Sequence, residues 1–347
     1  MKRKLKKNRF WVFQEEKKLM EIYKPKELSV QEIYEAIDLW GPLGLSKEIT
    51  DEYRIFKKFN AFDPKYLSNI LYYPIVITAL NPFSYYTVYE NKGLYDLIFK
   101  GLNMPKTIVK NIEGRFFDQD STLLSKESAK RKIKEKDRVF FKPSVDTFGG
   151  RGVKIYNKTD LTEKNLNELL DNNPKNYIIQ EIITQHEDTE IFNKTSVNTI
   201  RITSLYLNGK TSILFILLMI GGRGQIADNS TESLRVRVNE DGSLDGIGYD
   251  KYLKKHNKSN NGTLFKGRKI THVSKCIEMA MNNHSRYFPG CGMVGWDIAI
   301  DKSGNAVFLE GNSRVPGIRT GQICWGPLFG ERTEEVIEYV KNNPPKL

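Results

Sequence analysis

The sequence contains little of what marks membrane-spanning, disulfide-linked or zinc-thiolate proteins. The longest apolar run is 213–220, far short of the roughly 20 residues that cross a bilayer, so it predicts a buried strand. Cys276, Cys291 and Cys324 form no Cys-x-x-Cys pair and are predicted to remain reduced thiols. No apolar stretch with a cleavage site follows the basic start. We therefore expect no signal peptide and a cytoplasmic protein, at most peripheral to the inner membrane face.

Motifs for covalent and zinc-dependent catalysis are also missing. The chain has no Gly-x-Ser-x-Gly elbow, no His-Glu-x-x-His motif and no Cys/His nucleophile setting. No zinc-ligand pattern or RNA-binding signature is present, which disfavours nucleic acid as a partner. The chemistry must therefore be sought in other residue types.

Charge is distributed unequally. Lysine and arginine total 54 against 42 acidic residues, a formal net charge of +12, and much of the excess lies in the first 26 residues. Such an excess favours polyanionic partners such as nucleotides, acidic polysaccharide or a membrane surface. The basic start is interpreted either as a solvated tail or as a contact for an anionic membrane. With 347 residues and 39% hydrophobic residues, we expect two or three packed units.

The pattern of apolar residues changes along the chain. Residues 10–72 predict mainly helices, and Ser29 with Glu32 has the spacing of a capping box. From about residue 88, strands and helices mix without a regular βαβ rhythm, which favours α+β layers over a doubly wound sheet. The predicted strands are 107–109, 139–142, 153–156, 177–183, 200–207, 211–220, 234–238, 294–300 and 306–310. The predicted helices are 94–102, 125–136, 161–170, 270–287 and 334–341.

A glycine-rich turn joins two of these strands. The first strand ends at Lys142, and Gly149, Gly150 and Gly152 lead into the second. Glycines let backbone N–H groups approach phosphate oxygens, and a nearby lysine adds a point charge. The turn opens no helix, so it is neither a P-loop nor a dinucleotide fingerprint. It predicts either a phosphate-covering loop or an ordinary hairpin.

An acidic hairpin is predicted near the end of the chain. If residues 302–305 form the loop of a turn at 301–305, Asp297 lies opposite Glu310, with Asn312 on the same side two residues later. Two carboxylates and an amide oxygen suit Mg²⁺ that is shared with substrate phosphates. A solvated acidic face is the alternative, but the apolar neighbours of Asp297 favour a buried setting.

Further polar residues lie in or after predicted strands. Arg201 lies within a strand, where a guanidinium is costly unless it meets an anion. Arg223 and Asn229 follow the apolar strand in a glycine-rich loop and could line a site for phosphate or a carboxylate. Structural salt bridges are the alternative for each. Gln180 and Glu181 lie in a strand that enters a linker between two lobes and could offer backbone groups to an adenine edge.

Taken in order, these motifs resemble those of the ATP-grasp superfamily. The segments SVNTIRIT, QEIITQH, GWDIAID, LEGNSRVPG and GPLFGERT are most similar to the sugar-transfer-associated ATP-grasp family, which is found with surface-polysaccharide genes. The resemblance covers about residues 60–340. The anchors in chain order are Lys92 at a helix start, Lys142 with the glycine-rich turn, the Gln180-Glu181 hinge, the Arg201 strand and the hairpin from Asp297 to Asn312.

The resemblance implies an α+β, ATP-grasp fold in which two α+β subdomains grip ATP, preceded by a helical N-terminal region. The implied divisions are 1–87 for the basic tail and helical region, 88–176 for the first subdomain and 177–347 for the second. The implied ATP contacts are Lys92, Lys142, the covering glycines Gly149, Gly150 and Gly152, Gln180 and Glu181 at the adenine, and His186 near the ribose. The alternative for His186 is a hydrogen-bonded structural histidine.

The resemblance also implies the metal and the reaction. Asp297, Glu310 and Asn312 would hold Mg²⁺, and Arg201, Arg223 and Asn229 would hold a carboxylate beside the γ-phosphate. The expected protein is an ADP-forming carboxylate–amine ligase that makes an amide or ester through an acyl phosphate. Its partners would be ATP, a carboxylate and an amine or hydroxyl acceptor, one of them sugar-linked.

Two other functions stay open at this point. They are an ATP-dependent kinase on the same fold and a non-catalytic module that binds nucleotide or polyanion. One departure from the family concerns the acceptor side, because Asp228-Asn229 precedes 230–233, Ser-Thr-Glu-Ser, where the family tends to carry a Gly-Gly pair.

Overall fold

A helical region opens the chain, as predicted. The computed structural model describes residues 2–47, 50–145, 152–222 and 232–345, with side chains from residue 12 onward. The backbone is helical from Lys2, so the basic start belongs to the first helix rather than to an extended tail. The elements are α1 (Lys2–Tyr23), α2 (Val30–Trp40), α3 (Asp51–Phe59), α4 (Asn69–Leu71), a π-helical turn (Tyr72–Val76), α5 (Ile77–Leu80), α6 (Phe83–Tyr86) and a 3₁₀ turn (Thr87–Glu90).

Local sequence signals explain the start and orientation of α2. Ser29 Oγ accepts a hydrogen bond from Glu32 N at 3.2 Å, and Glu32 Oε2 accepts one from Ser29 N at 2.7 Å. The predicted capping box is therefore confirmed. The helix buries Ala36 and Trp40, and the Trp40 indole donates to the carbonyl of Pro64 at 2.9 Å. This bond holds α2 against the chain that follows α3.

The first sheet is six-stranded and antiparallel. The elements of this part of the chain are a 3₁₀ turn (Lys92–Leu94), α7 (Tyr95–Ile98), β1 (Thr107–Ile112), β2 (Arg115–Phe117), β3 (Leu123–Leu124), α8 (Lys126–Lys134), β4 (Arg138–Pro143), β5 (Lys154–Asn157), a 3₁₀ turn (Lys158–Asp160), α9 (Glu163–Asn172) and β6 (Tyr177–Gln180). The strand order is β3-β2-β1-β6-β4-β5. Helices α8 and α9 cover the sheet with an apolar core of their own. The Ser125 hydroxyl caps α8 by accepting from Ser128 N at 3.1 Å.

Two predicted elements end three or four residues early in the structure. The helix predicted over 94–102 ends at Ile98, where Phe99 leaves the helical conformation, and the chain then turns through Gly101 at a φ of +98°. The strand predicted over 177–183 ends at Gln180, after which the Glu181 N–H donates to the carbonyl of Lys106 at 2.9 Å. Because β6 is an inner strand of this sheet, we propose that the first subdomain extends to Gln180 rather than to residue 176.

The second sheet is seven-stranded and antiparallel. The elements of this part of the chain are α10 (Glu187–Glu190), β7 (Thr199–Leu207), β8 (Lys210–Ile220), β9 (Leu234–Val238), β10 (Leu244–Tyr249), β11 (Lys255–His256), α11 (Val273–Tyr287), β12 (Met293–Ile300), β13 (Ala306–Asn312), α12 (Arg319–Trp325), a 3₁₀ turn (Gly330–Arg332) and α13 (Thr333–Asn342). The strand order is β11-β10-β9-β8-β7-β12-β13. Within the described ranges, no helix is both long and apolar enough to cross a bilayer.

Strand β8 contains the longest apolar run of the sequence and is buried on both faces. Its alternating side chains enter two different cores, since both faces of the seven-stranded sheet, called the large sheet below, are covered. Phe215 and Leu217 pack with the helical N-terminal region, α12 and α13. Ile216 and Leu218 pack on the other face with α11. The N-terminal helices therefore form one of the two layers that bury this sheet.

A buried polar network joins the N-terminal helices to α12. Glu52 accepts hydrogen bonds from both the backbone N and Nδ2 of Asn69, each at 2.5 Å, and from Arg319 Nε at 2.6 Å. Burial, with the charge of Glu52, raises the pKa of Glu16 to about 10, so this carboxyl is neutral at pH 7. The network links three segments distant in sequence, and removing one partner would leave a buried group unpaired.

His284 on α11 lies in a fully buried hydrogen-bonded chain. The Trp296 indole donates to Ser204 Oγ, which lies 2.8 Å from His284 Nδ1, and His284 Nε2 lies 2.9 Å from the carbonyl of Cys291. In a neutral imidazole with its proton on Nε2, the Ser204 hydroxyl donates to Nδ1 and the Nε2–H donates to the carbonyl of Cys291. Each polar group of the chain then has a hydrogen-bond partner. Burial lowers the pKa of His284 to about 4.

This histidine predicts an acid-sensitive fold. The ordinary pKa of histidine is 6.5, so between pH 6.5 and 4 this imidazole is protonated in the unfolded chain but stays neutral in the folded one. The free energy of unfolding should therefore fall by about 3 kcal/mol between pH 7 and pH 4 through this group alone. Urea unfolding of the wild type and His284→Gln across this range measures the effect. The variant should show the shallower pH dependence, and equal slopes would contradict the prediction.

Candidate functional site

A cleft of about 310 Å³ lies between the two sheets. The six-stranded first sheet, called the small sheet below, contributes β4, β5 and the end of β6, and the large sheet contributes β12 and β13. The connecting segment 181–199 runs along it. Its described lining includes four basic and four acidic side chains, Lys92, Arg138, Lys142, Lys194, Glu181, Glu190, Asp297 and Glu310. The cleft is thus highly polar, with its charges nearly balanced.

Apolar side chains form another part of the lining. Phe140 and Ile155 come from the small sheet, Ile182 and Ile183 from the connecting segment, and Leu309 from the large sheet. Such a combination of apolar walls and a few polar groups is typical of a small-molecule site.

The side chains of the predicted hinge residues bind the protein itself. Gln180 Nε2 donates to the carbonyl of Pro105 at 3.2 Å, and the Glu181 carboxylate forms an ion pair with Lys136 at 2.9 Å. Both residues still line the cleft. These contacts hold the chain in place at the end of β6, just before Ile182.

Lys92 reaches the cleft from a turn that is attached to the small sheet. Asn91 Oδ1 accepts from Gly93 N at 2.9 Å, and the Lys92 N–H donates to the carbonyl of Ser144, just beyond β4, at 2.9 Å. Its ammonium lies 3.0 Å from Glu310 Oε1, and only 9% of the side chain is exposed. Lys92 therefore joins the first sheet to the acidic hairpin of the second.

Lys142 lies near the end of β4, as predicted, and shares the electrostatic environment of Lys92. Burial lowers the pKa of Lys142 to about 8, while the negative charge of Glu310 raises it and the positive charge of Lys92 lowers it further. After the turn, Gly152 has a φ of +77°, and a Cβ there would lie 2.9 Å from Pro143 Cγ. This position therefore requires glycine.

The acidic hairpin contains the predicted pair, although next to the turn its register is shifted by one residue from the prediction, with Ile300 opposite Ala306. Asp297 on β12 pairs with Glu310 on β13. Asn312 Nδ2 donates to Asp297 Oδ2 at 3.0 Å and to the carbonyl of Gly295 at 3.2 Å. The pairing shifts at the next position, where Ile298 lies opposite Phe308, so Leu309 is the extra residue of a β-bulge. This bulge lets both Leu309 and Glu310 line the cleft.

Arg201 forms a bidentate ion pair with one of these carboxylates. Arg201 on β7 lies directly across from Asp297, with Nε to Oδ1 at 2.5 Å and Nη2 to Oδ2 at 2.8 Å. The strand arginine is thus stabilised by an anion, as its position demanded.

A buried amide network fixes the connecting segment. Gln185 Nε2 donates to the carbonyls of Asn193 and Ser196 at 3.0 and 2.9 Å, and its Oε1 accepts from Asn198 N at 3.0 Å. Asn193 Nδ2 donates to the carbonyl of Gly221 at 2.9 Å, at the end of β8. The cleft lining at 194–197 is therefore held rigidly against the large sheet.

A sequence profile decides the family. The profile of the sugar-transfer associated ATP-grasp family matches residues 75–338, more than half of the chain. The chain belongs to this family. Its two antiparallel sheets, the cleft between them and the helical N-terminal region are the ATP-grasp fold predicted from the sequence. No curated protein matches the sequence.

Solved ATP-grasp structures resemble the chain at low identity. The L-amino acid ligase from Bacillus licheniformis has 13% identity and a TM-score of 0.42, over 74% of this chain and 48% of that one. D-alanyl-alanine synthetase A from Vibrio cholerae has 14% identity and a TM-score of 0.41, over 79% and 65%. The ligase PsnB, complexed with a phosphomimetic precursor variant, Mg and ADP, has 13% identity and a TM-score of 0.40, over 73% and 60%. This chain therefore spans less than two thirds of the length of each.

The cleft of this ATP-grasp chain brings together six of the ten expected site residues that the structure describes. Lys92, Lys142, Gln180, Glu181, Asp297 and Glu310 all line it. His186 does not line it within the described part of the chain; it caps α10 through its ring, which accepts from Asp188 N at 3.3 Å, and it packs against His272. Its expected place beside a ribose is thus not supported. Gly149, Gly150, Arg223, Asp228, Asn229 and the first part of the departure, Ser230 and Thr231, lie outside the described residues.

Several lining residues were missed in the sequence, and three of them carry polar groups that bear on the site. Glu190, Lys194 and Ser196 lie on the connecting segment between the hinge and β7. Ser196 is 4% exposed, and its Oγ has no hydrogen-bond partner in the described structure. A buried hydroxyl of this kind is costly unless a ligand satisfies it. Asn-Lys-Thr-Ser before the strand was the available signal, and it is hard to distinguish from an ordinary polar loop.

The acidic hairpin has suitable donors for Mg²⁺. Asp297 and Glu310 supply carboxylates and Asn312 an amide, the hard oxygen donors that Mg²⁺ prefers. The described residues hold no cluster of three His, Cys, Asp or Glu side chains for a metal, because the third donor here is an amide. Arg201 and Lys92 neutralise the two carboxylates in this structure. The residues present therefore fit a Mg²⁺ ion.

The cleft predicts an unusual titration for Lys142. Because burial lowers its pKa from 10.5 to about 8, the ammonium should lose its proton two to three pH units earlier than an ordinary lysine. NMR titration of a protein with carbon-13-labelled lysines would show one resonance with a midpoint near pH 8, absent in Lys142→Arg. Glu310→Gln should lower the midpoint further, since it removes a stabilising negative charge. A midpoint near 10.5 would contradict the assignment.

Proposed function

We propose that this chain is an ATP- and Mg²⁺-dependent ligase that activates a carboxylate as an acyl phosphate and transfers the acyl group to an amine or hydroxyl. The observation that carries the proposal is the meeting of Lys92, Lys142, Asp297 and Glu310 in a cleft that also has apolar walls. Membership of the ATP-grasp family supports it. Fold membership alone does not fix a reaction, so the argument rests on these side chains.

The nucleotide would lie along the cleft. Adenine fits between the apolar walls, where the backbone of Ile182 and Ile183 is available for its edge. Glu190 can accept hydrogen bonds from ribose hydroxyls, and the buried Ser196 hydroxyl would gain the partner it lacks. Lys92 and Lys142 supply the positive charge for the triphosphate. Triphosphate binding would raise the pKa of Lys142 and keep its ammonium charged.

Asp297, Glu310 and Asn312 would hold Mg²⁺. The ion would offset negative charge on the phosphates, which is the usual contribution of a metal to phosphoryl transfer. While they hold it, Asp297 and Glu310 would depend less on their contacts with Arg201 and Lys92. Arg201 would then be available, in part, for the transferring phosphoryl group.

The reaction would proceed in two balanced displacements. A substrate carboxylate oxygen attacks the γ-phosphorus, the bond to the β–γ bridging oxygen breaks, and ADP leaves with that electron pair. The acceptor nitrogen or oxygen then attacks the acyl carbon, phosphate leaves with the acyl C–O electron pair, and the acceptor loses a proton. The protein contributes positioning and charge stabilisation, which need no covalent nucleophile.

The sugar-transfer association of the family supports a sugar-linked substrate. A kinase would need a base for its hydroxyl acceptor. Among the described lining residues there is no histidine, and cations hold three of the four acidic side chains, Asp297, Glu310 and Glu181, while the fourth, Glu190, is assigned to the ribose. These contacts favour the ligase.

The metal ligands generate the first functional prediction. Glu310→Ala should lower ADP release by about 100-fold or more, because it removes a carboxylate that would hold Mg²⁺. ADP release is measured with ATP, Mg²⁺ and a mixture of amino acids, uronic acids and amino sugars. Glu240→Ala, which removes an exposed carboxylate in the β9–β10 turn, is the matched control and should behave as wild type. A folded Glu310→Ala protein with normal ADP release would exclude the assigned metal site.

Hydroxylamine distinguishes the ligase from the kinase. With ATP and the carboxylate substrate but no acceptor, a ligase should yield a hydroxamate, because hydroxylamine attacks the acyl phosphate. Adding the acceptor should release free phosphate in step with ADP. Mass spectrometry with labelled γ-phosphate provides the readout. A product that keeps the label through purification, without any hydroxamate, would replace the ligase by a kinase.

A further inference from the structure

A cluster of four side chains beside the acidic hairpin has no part in the steps above. Phe83 and Tyr86 come from α6, Glu90 from the 3₁₀ turn that follows, and Arg314 from the chain just beyond β13. We call these four residues the rim cluster. They come from two segments more than 220 residues apart in the sequence, which the fold brings together.

Direct contacts connect the members of the rim cluster. The rings of Phe83 and Tyr86 meet edge to face, with centroids 5.5 Å apart. The Arg314 guanidinium donates to the Tyr86 hydroxyl, and Arg314 Nη1 lies 3.4 Å from Glu90 Oε2. An exposed aromatic ring is thereby linked to a charged pair through one tyrosine.

The cluster lies at the phosphate end of the cleft. Arg314 follows Asn312 by two residues, about 7 Å along an extended chain. Glu90 precedes Lys92 by two residues, and Lys92 contacts Glu310. Burial raises the pKa of Glu90, and the charges of Arg314, Lys92 and Glu310 all act on its carboxyl. A molecule bound at the rim cluster would therefore lie next to the site of phosphoryl transfer.

The polar part of the cluster suits an uncharged ligand. Arg314 and Glu90 compensate each other's charge, so a further anion or cation gains little net attraction. Their side chains keep 26% and 32% of their surface exposed, and together they offer both donors and acceptors. Vicinal hydroxyl groups, each a donor and an acceptor, match this pair.

The apolar part of the cluster suits a ring with a C–H face. Phe83 is 64% exposed, and its ring contacts Tyr86, so it gives the cluster an accessible apolar face. An aromatic ring beside hydrogen-bonding groups gives both the contact area and the orientation that a ligand site needs.

We propose that the rim cluster binds a neutral, hydroxyl-rich sugar ring of the acceptor. The sugar stacks on Phe83, and its hydroxyl groups bind Arg314 and Glu90. This assignment rests on the proposed function, because it gives the acceptor of that reaction its chemical class and its place beside the metal ligands.

Saturation-transfer NMR tests the proposal directly. The probes are glucose, galactose, N-acetylglucosamine, glucuronic acid and trialanine, each added to the full chain with and without Mg²⁺ and a non-hydrolysable ATP analogue. At least one neutral sugar should receive saturation through its ring protons. Phe83→Ala and Arg314→Ala should weaken that sugar's binding by about tenfold, the scale of one aromatic or polar contact. Tyr34→Ala, which removes an exposed tyrosine on α2, is the matched control and should not change it.

The outcomes separate this proposal from the ligase proposal. Calorimetry with ATP and Mg²⁺ tests the nucleotide site alone, and Phe83→Ala should leave that affinity unchanged. Sugar binding that depends on Phe83 and Arg314 supports the rim cluster even if ATP does not bind. The rim assignment is overturned if no neutral sugar gives a signal, if both variants bind sugar like wild type, or if only glucuronic acid or trialanine depends on Phe83.

Discussion

Electrostatic repulsion between Asp297 and Glu310 is the constraint around which the cleft is organised. The register of β12 and β13 brings these carboxylates opposite each other, so each needs a nearby cation. Arg201 comes from the adjacent strand β7, and Lys92 comes from a turn attached to the other sheet. The same requirement therefore explains an arginine within a central strand and a nearly buried lysine between the two sheets.

The N-terminal helices serve this arrangement indirectly. Residues on one face of β8, such as Phe215 and Leu217, would be exposed without them. The network of Glu52, Asn69 and Arg319 then joins these helices to α12, on the chain that follows β13. Two strands that carry the acidic pair are thus supported by layers on both faces of the large sheet, which limits how far the ligands can move.

The sequence predicted those features that depend on local spacing. The Ser29 cap follows from four consecutive residues. The pair of Asp297 and Glu310 was predicted from a four-residue loop in a regular hairpin, whereas in the structure it depends on the bulge at Leu309, which the sequence did not indicate. The partner of Arg201 could not be predicted in this way, because it depends on which strands become neighbours in the sheet. Glu190 and Ser196 were missed for a similar reason: they enter the cleft through a loop whose path is set by the Gln185 amide network.

The β-bulge at Leu309 makes the length of β13 as important as its composition. In a regular strand, neighbouring residues point to opposite faces, so Leu309 and Glu310 could not both line one cleft. The extra residue changes the parity of the side chains between Phe308 and Asn312. Deleting one residue from the bulge would keep the hydrophobic and acidic residues of β13. It would, however, turn the side chains on one side of the deletion to the opposite face of the sheet. Homologous chains that keep the acidic residues but differ by one residue in this strand would therefore present a different surface to the cleft.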